Sequence, residues 1–144
     1  MRRYKIHQLL SVLFAAFFLF ALASCGRKIK FNSSSVVPAA TGSVKVKKDN
    51  NKNYSLDVKI TNLAPSEKLT PPKKVYVVWM VTQDNETKNI GQIKSGSGLL
   101  GSNLKASLSA VTTFSPRRVF ITAEDDPAIS YPQGQPVLST GDFH

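Results

Sequence analysis

"YSLDVKIT", residues 54–61, decides the fold class: Tyr54, Leu56, Val58 and Ile60 alternate with Ser55, Asp57, Lys59 and Thr61. Successive side chains of a strand point to opposite faces, so this alternation makes one apolar face and one wet face. Upstream, "SVKVKK" (43–48) repeats the pattern, with Val44 and Val46 set against Lys45 and Lys47. The intervening "KDNNKN" is turn chemistry, since Asp and Asn side chains bond their own backbone. A β-hairpin is predicted.

Downstream, "LAPSEKLTPP" (63–72) interrupts with three prolines before "KVYVVWMV" (74–81). There Val75, Val77, Trp79 and Val81 share one face, and Tyr76, Val78 and Met80 the other. Both faces are apolar, which predicts a central strand or one covered on its second side. "TQDNETKN" is the next turn, followed by a short strand around Ile90–Ile93. "KSGSGLLG" (94–101) reads as a flexible loop whose Leu99 and Leu100 tuck inward; it lacks the spacing of a phosphate loop. Alternation returns at Leu104, Ala106, Leu108 and Ala110, and again at Val119, Ile121 and Ala123. A last strand is expected at Pro136–Ser139. About seven short strands without a helix point to an all-β, Ig-like antiparallel β-sandwich over residues 43–144, because two one-faced sheets bury their apolar sides together. A small barrel is the second solution.

The chain starts differently. "MRRYKIHQ" carries Arg2, Arg3 and Lys5, and Leu9 to Ala23 is apolar except for Ser11. As a helix this run is roughly 22 Å long, short of a ~30 Å hydrocarbon core. A basic start, a short apolar run and small residues at its end describe an export signal over residues 1–24. Its end, Leu22-Ala23-Ser24-Cys25, resembles the lipobox of bacterial lipoproteins, in which the cysteine sulfur takes a diacylglyceryl group and the leader is cut before that cysteine. An ordinary secretory signal, matched by Ala21-Leu22-Ala23, and an uncleaved anchor are the alternatives. Lipidation accounts for the single cysteine and implies a lipid bilayer as partner through acylated Cys25. After a lipobox cysteine, Gly26 in place of Asp implies sorting to the outer membrane where a cell has one, and the basic "GRKIK", unlike acidic surface-export tags, favours its periplasmic side.

Gly26 to Gly42, "GRKIKFNSSSVVPAATG", shows no apolar period and reads as a tether over residues 25–42. Extended, such a stretch reaches up to ~55–60 Å. Arg27, Lys28 and Lys30 either meet anionic headgroups beside the lipid or keep the tether soluble.

Composition then removes whole classes of chemistry. Loss of the leader leaves 120 residues with a formal charge of +7, against +10 for the full chain. With Cys25 acylated no thiol remains for a disulfide, a zinc site or nucleophilic catalysis. His7 falls in the leader and His144 at the end of the chain, where an imidazole is not held rigidly enough for a catalytic triad. A hydrolase is disfavoured, no catalytic residue is assigned, and no cofactor motif is present.

Two longer stretches carry a resemblance. "VYVVWMVTQDNETKNIGQI" and "VFITAEDDPAISYPQGQPVLSTG" look like the C-terminal extracytoplasmic domain of anti-sigma-K factors. The shared features fall on Tyr76 and Trp79, Gly91, Thr122 and Glu124, Pro132, Gly134 and Pro136, and Val137, Leu138 and Gly141. The resemblance covers residues 43–141 and implies an Ig-like sandwich beyond a membrane, with a sensing or assembly role. It does not imply sigma-factor inhibition, because a lipidation signal stands where those regulators have a sigma-binding domain and a membrane helix.

Individual residues carry further expectations. Trp79, mid-strand, reads as a core anchor with its N–H satisfied. Glu124, Asp125 and Asp126 read as a solvated turn and a weak calcium candidate, since neighbours on an extended chain face opposite ways. Lys45, Lys47 and Lys59 lie on the polar faces of the hairpin and form a basic face suited to membrane phosphates, acidic glycans or an acidic envelope protein. Nucleic acid is not expected, because no aromatic is interleaved with these lysines. Lysines that block aggregation at a sheet edge are the competing explanation. Tyr131 and Phe143 read as ordinary packing residues.

Overall fold

Eight strands build two four-stranded antiparallel sheets: β1 Arg27–Lys30, β2 Thr41–Lys48, β3 Tyr54–Thr61, β4 Val75–Thr82, β5 Thr87–Ile93, β6 Lys105–Thr112, β7 Pro116–Glu124 and β8 Pro136–Ser139. The computed structural model describes residues 26–93 and 104–143. Strand order is β1-β2-β3-β6 in the first sheet and β5-β4-β7-β8 in the second. The two antiparallel sheets form the Ig-like sandwich expected from the alternation, and the chain crosses between them after β3, β5 and β6, a Greek-key path that alternation does not fix.

The alternation sets the core. Val44, Leu56, Val58, Ile60 and Ala106 face inward from the first sheet, and Tyr76, Val78, Met80, Val119, Ile121 and Leu138 meet them from the second. Tyr76 donates its hydroxyl to the Ala64 carbonyl at 2.8 Å, and burial pushes its phenol up to about 12. The β2–β3 turn is tied by Asp49, whose Oδ1 accepts the amides of Asn51 and Asn53 at 2.8 Å each. Those bonds, the Asn53 amide foremost, hold the Asp49 carboxyl below its ordinary range. At Gly91 the pairing of β5 slips past Ile90, and φ is 133°, a conformation that suits glycine at a bulge.

One expectation is corrected, a second is borne out and a third is divided. First, residues 25–42 are not a tether over their described part. Arg27–Lys30 pairs with Ser43–Val46 as the edge strand β1, the eighth strand where about seven were expected. Phe31 donates to the Gly42 carbonyl at 3.0 Å, bridges Thr140, and leads to Asn32, which donates to Ser139 of β8 at 2.8 Å. Ser34 then turns the chain by accepting the Val37 amide at 2.9 Å, and Val37 and Ala40 are buried in the core. The physical reason is apolar area: Ile29, Phe31, Val37 and Ala40 all pack on the core cluster.

Second, Trp79 is fully buried, the anchor expected, on the covered outer side of its sheet. It lies on the outer face of the second sheet with Val75, Val77, Val81 and Phe120, its ring stacked 6.3 Å from Phe120. Its Nε1 donates to Thr122 Oγ1 at 2.8 Å. Segment 125–135 folds over this face, bringing Ile129 against it, and Asn89 Nδ2 holds the cover by donating to the Pro127 and Ile129 carbonyls at 2.9 and 3.0 Å. Third, Phe143 packs in the core as read, whereas Tyr131 is exposed on that cover. Cys25, Leu99, Leu100 and His144 lie outside the described residues.

Trp79→Ala is expected to cost about 3–5 kcal/mol, because a large buried ring leaves a cavity. Thr122→Val is expected to cost about 1–3 kcal/mol by orphaning the indole N–H. Urea unfolding of both variants checks the assignment; a neutral Thr122→Val would show that the indole bond is not made.

Candidate functional site

The two outer faces of the sandwich differ. On the second sheet, apolar side chains are covered by segment 125–135. On the first, the register assembles rows of amines that no described segment covers. Lys28, Lys45, Asp57 and Ser109 stand side by side across β1, β2, β3 and β6; in the next row stand Lys30, Ser43, Lys59 and Ser107. Lys47 and Lys105 flank these rows on the same face, giving six lysines around one carboxylate.

Lys45, Lys47 and Lys59 therefore share a face as the alternation requires, and β1 adds Lys28 and Lys30 from the stretch expected to be a tether. The competing explanation, protection of a sheet edge, does not fit the hairpin lysines. β2 and β3 are interior strands of the order β1-β2-β3-β6, so Lys45 and Lys59 guard no edge. The signal for β1 was the alternation Lys28-Ile29-Lys30-Phe31, only four residues long and without turn chemistry before it.

The arrangement is electrostatically costly. Lys28 is directly opposite Lys45, and like charges placed so destabilise a sheet. Asp57, the single carboxylate, accepts Ser109 Oγ at 2.6 Å. Among the described residues no carboxylate lies within ion-pair distance of Lys28, Lys30, Lys45, Lys59 or Lys105; the ion pairs run from Lys73, in the segment before β4, and from Lys88, Arg117 and Arg118 on the other sheet. A shallow depression of about 600 Å³ opens among Gly26, Lys28, Ser43, Lys45, Asp57, Lys59 and Ser109. Ammonium groups and hydroxyls around an open depression suit phosphate, sulfate or carboxylate oxygens through charge-assisted hydrogen bonds.

The acidic segment behaves otherwise than expected. Glu124 is 1% exposed rather than solvated, and its Oε1 accepts the amides of Gln133 and Gly134 at 3.0 and 3.1 Å. Asp125 pairs with Lys73 at 2.7 Å and raises that amine above its ordinary value, while Asp126 accepts the Ala128 amide at 2.9 Å. The three carboxylates turn to three separate partners, so they do not converge as a calcium site would demand. Among the described residues no group of three or more His, Cys, Asp or Glu side chains is placed to hold a metal.

The residues that carry the likeness to anti-sigma-K domains also have a location. Trp79 bonds Thr122, Glu124 accepts the Gly134 amide, and Pro132 sits in the covering segment. The first bond ties β4 to β7, the second ties the cover to β7, and Tyr76, Val137 and Leu138 pack in the core between the sheets, all of them packing tasks. Comparisons with protein-family models, with curated proteins and with solved structures found no match.

Glu124→Ala is expected to destabilise by about 1.5–3 kcal/mol, since two amides lose a charged acceptor. Asp125→Ala, which removes an exposed partner, should leave the melting temperature nearly unchanged. Millimolar calcium should not move the melting temperature of the wild type; a rise abolished by Asp126→Ala would restore the calcium reading.

Proposed function

We propose that this chain is a bacterial envelope lipoprotein whose β-sandwich is a non-catalytic binding module. The leader 1–24 is removed, Cys25 receives a diacylglyceryl group on sulfur together with fatty acyl chains of the palmitate class, and the folded domain is held at a membrane surface. The observation that carries this reading is Leu22-Ala23-Ser24-Cys25 after a basic start and an apolar run, at the only cysteine of the chain. The lysine face supplies the binding surface, and its chemistry calls for an anionic partner. In a cell with an outer membrane, Gly26 after the cysteine supports sorting to that membrane, and the basic "GRKIK" supports its periplasmic side.

The non-catalytic character is supported by the side chains on offer. Residues 26–143 contain neither histidine nor cysteine, and Glu124, a buried carboxylate, is occupied by backbone amides. An accessory role in envelope signalling, implied by the anti-sigma-K likeness, would use the same attachment; Tyr76, Trp79, Glu124, Val137 and Leu138, which carry that likeness, are buried packing residues.

Mass analysis of the protein from its native host tests the reading. The mature N-terminus is expected at Cys25 with a diacylglyceryl thioether, and Cys25→Ser is expected to stay as an unprocessed, unlipidated precursor. A bare thiol on the wild type, or a retained leader, would refute it.

A further inference from the structure

β1 begins two residues after Cys25. Gly26 lies against the lysine face itself: a Cβ built there would run into Lys47 Cγ and Lys45 Cε. Connectivity alone then confines an acyl group on Cys25 to about one residue, ~3.5 Å of backbone, from the rim of that face. A domain attached by so short a link cannot hold its basic surface far from the headgroups. The lysines fall within the ~8–10 Å over which a charged surface acts at physiological salt.

We infer that the first sheet lies flat on the membrane that holds the lipid, with Lys28, Lys30, Lys45 and Lys59 against the phosphates of anionic lipids. This deepens the lipoprotein reading by naming the partner of the lysine face, and it rests on that reading for the position of Cys25. Three observations favour a bilayer over an acidic protein or a glycan. The amines are spread over a sheet face, from the edge strand β1 across the interior strands β2 and β3, rather than gathered at a loop. The row nearest the chain entry, Lys47, Ser55 and Val111, exposes an apolar side chain: Val111 is 77% accessible and points the same way as the lysines. Long amine side chains around a small apolar contact match an interface of phosphate and acyl boundary. The like-charged pair Lys28–Lys45, a cost to the isolated sheet, becomes an advantage against a negative plane.

Amine footprinting of the acylated protein tests this. The protein is reconstituted into phosphatidylcholine vesicles with and without phosphatidylglycerol, labelled with an amine-reactive reagent, and read by mass spectrometry. In phosphatidylglycerol vesicles Lys28, Lys45 and Lys59 should label about fivefold more slowly than in phosphatidylcholine, the factor that one lysine's attraction to an anionic surface supplies. Lys68 and Lys74, outside the first sheet, should be unaffected, and 1 M salt should restore labelling. Lys45→Gln/Lys59→Gln, with its fold checked by circular dichroism, should lose the protection of Lys28. Equal labelling in both vesicle types overturns flat docking while leaving the lipoprotein reading intact. Protection by a soluble acidic polysaccharide but not by vesicles overturns it in favour of a glycan. Should Cys25 be found unacylated, the full chain mixed with the same vesicles gives the same readout: protection keeps the docking face and discards the anchor, and no protection discards both.

Discussion

The pairing of β1 with β2 is the constraint on which the arrangement depends. Four residues, Arg27–Lys30, add an edge strand, carry Ile29 onto the core, and lead Phe31 and Asn32 across to β8 of the opposite sheet. One seam between the two sheets is thereby closed by the chain segment that follows Cys25. The same pairing aligns Lys28 and Lys30 with Lys45 and Ser43, so a single register both fastens the sandwich and widens its basic surface. Slippage by one residue would turn Ile29 outward and the lysines inward, and burying amines without partners is far costlier than leaving them in water.

The outer faces of the two sheets show two answers to the same question. β4 and β7 are interior strands whose outward side chains, Trp79, Val77 and Phe120 among them, are apolar and need a cover. Segment 125–135 provides it, held by Glu124, Asn89 and the pair Lys73–Asp125. β2 and β3 are equally interior, yet their outward side chains are amines and hydroxyls, which water solvates without help. Six lysines nonetheless surround a single carboxylate, Asp57, and direct opposition of Lys28 and Lys45 works against the sheet. A surface that breaks a local rule without a folding benefit is where function is to be sought.

Much of this was legible in the chain because the signal was period two. β2, β3, β6 and β7 each alternate over several residues, and the doubly apolar run of β4 announced a strand with both faces covered. What stayed hidden depended on partners remote in sequence. Lys28-Ile29-Lys30-Phe31 alternates too, but four residues beside a basic stretch look like a solvated linker until Thr140 and Ser139 are brought to them. The burial of Trp79 could be read from its strand; the side of the sheet it occupies could not, since both sides are apolar. Glu124 looked like one of three surface acids because its acceptor role is set by amides nine and ten residues further on. For the lysine face, alternation supplied the facing of Lys45, Lys47 and Lys59, and only the strand order showed that they sit away from an edge.

Amide hydrogen exchange in the first residues after Cys25 reports most directly on whether the fold begins there. With β1 in place, the amides of Phe31 and Asn32, bonded to Gly42 and Ser139, should be protected well beyond the rate of a free chain. Their exchange at the free-chain rate, alongside protected β2 and β3 amides, would restore a loose linker between the cysteine and the sandwich and remove the basis for placing the lysine face at the bilayer.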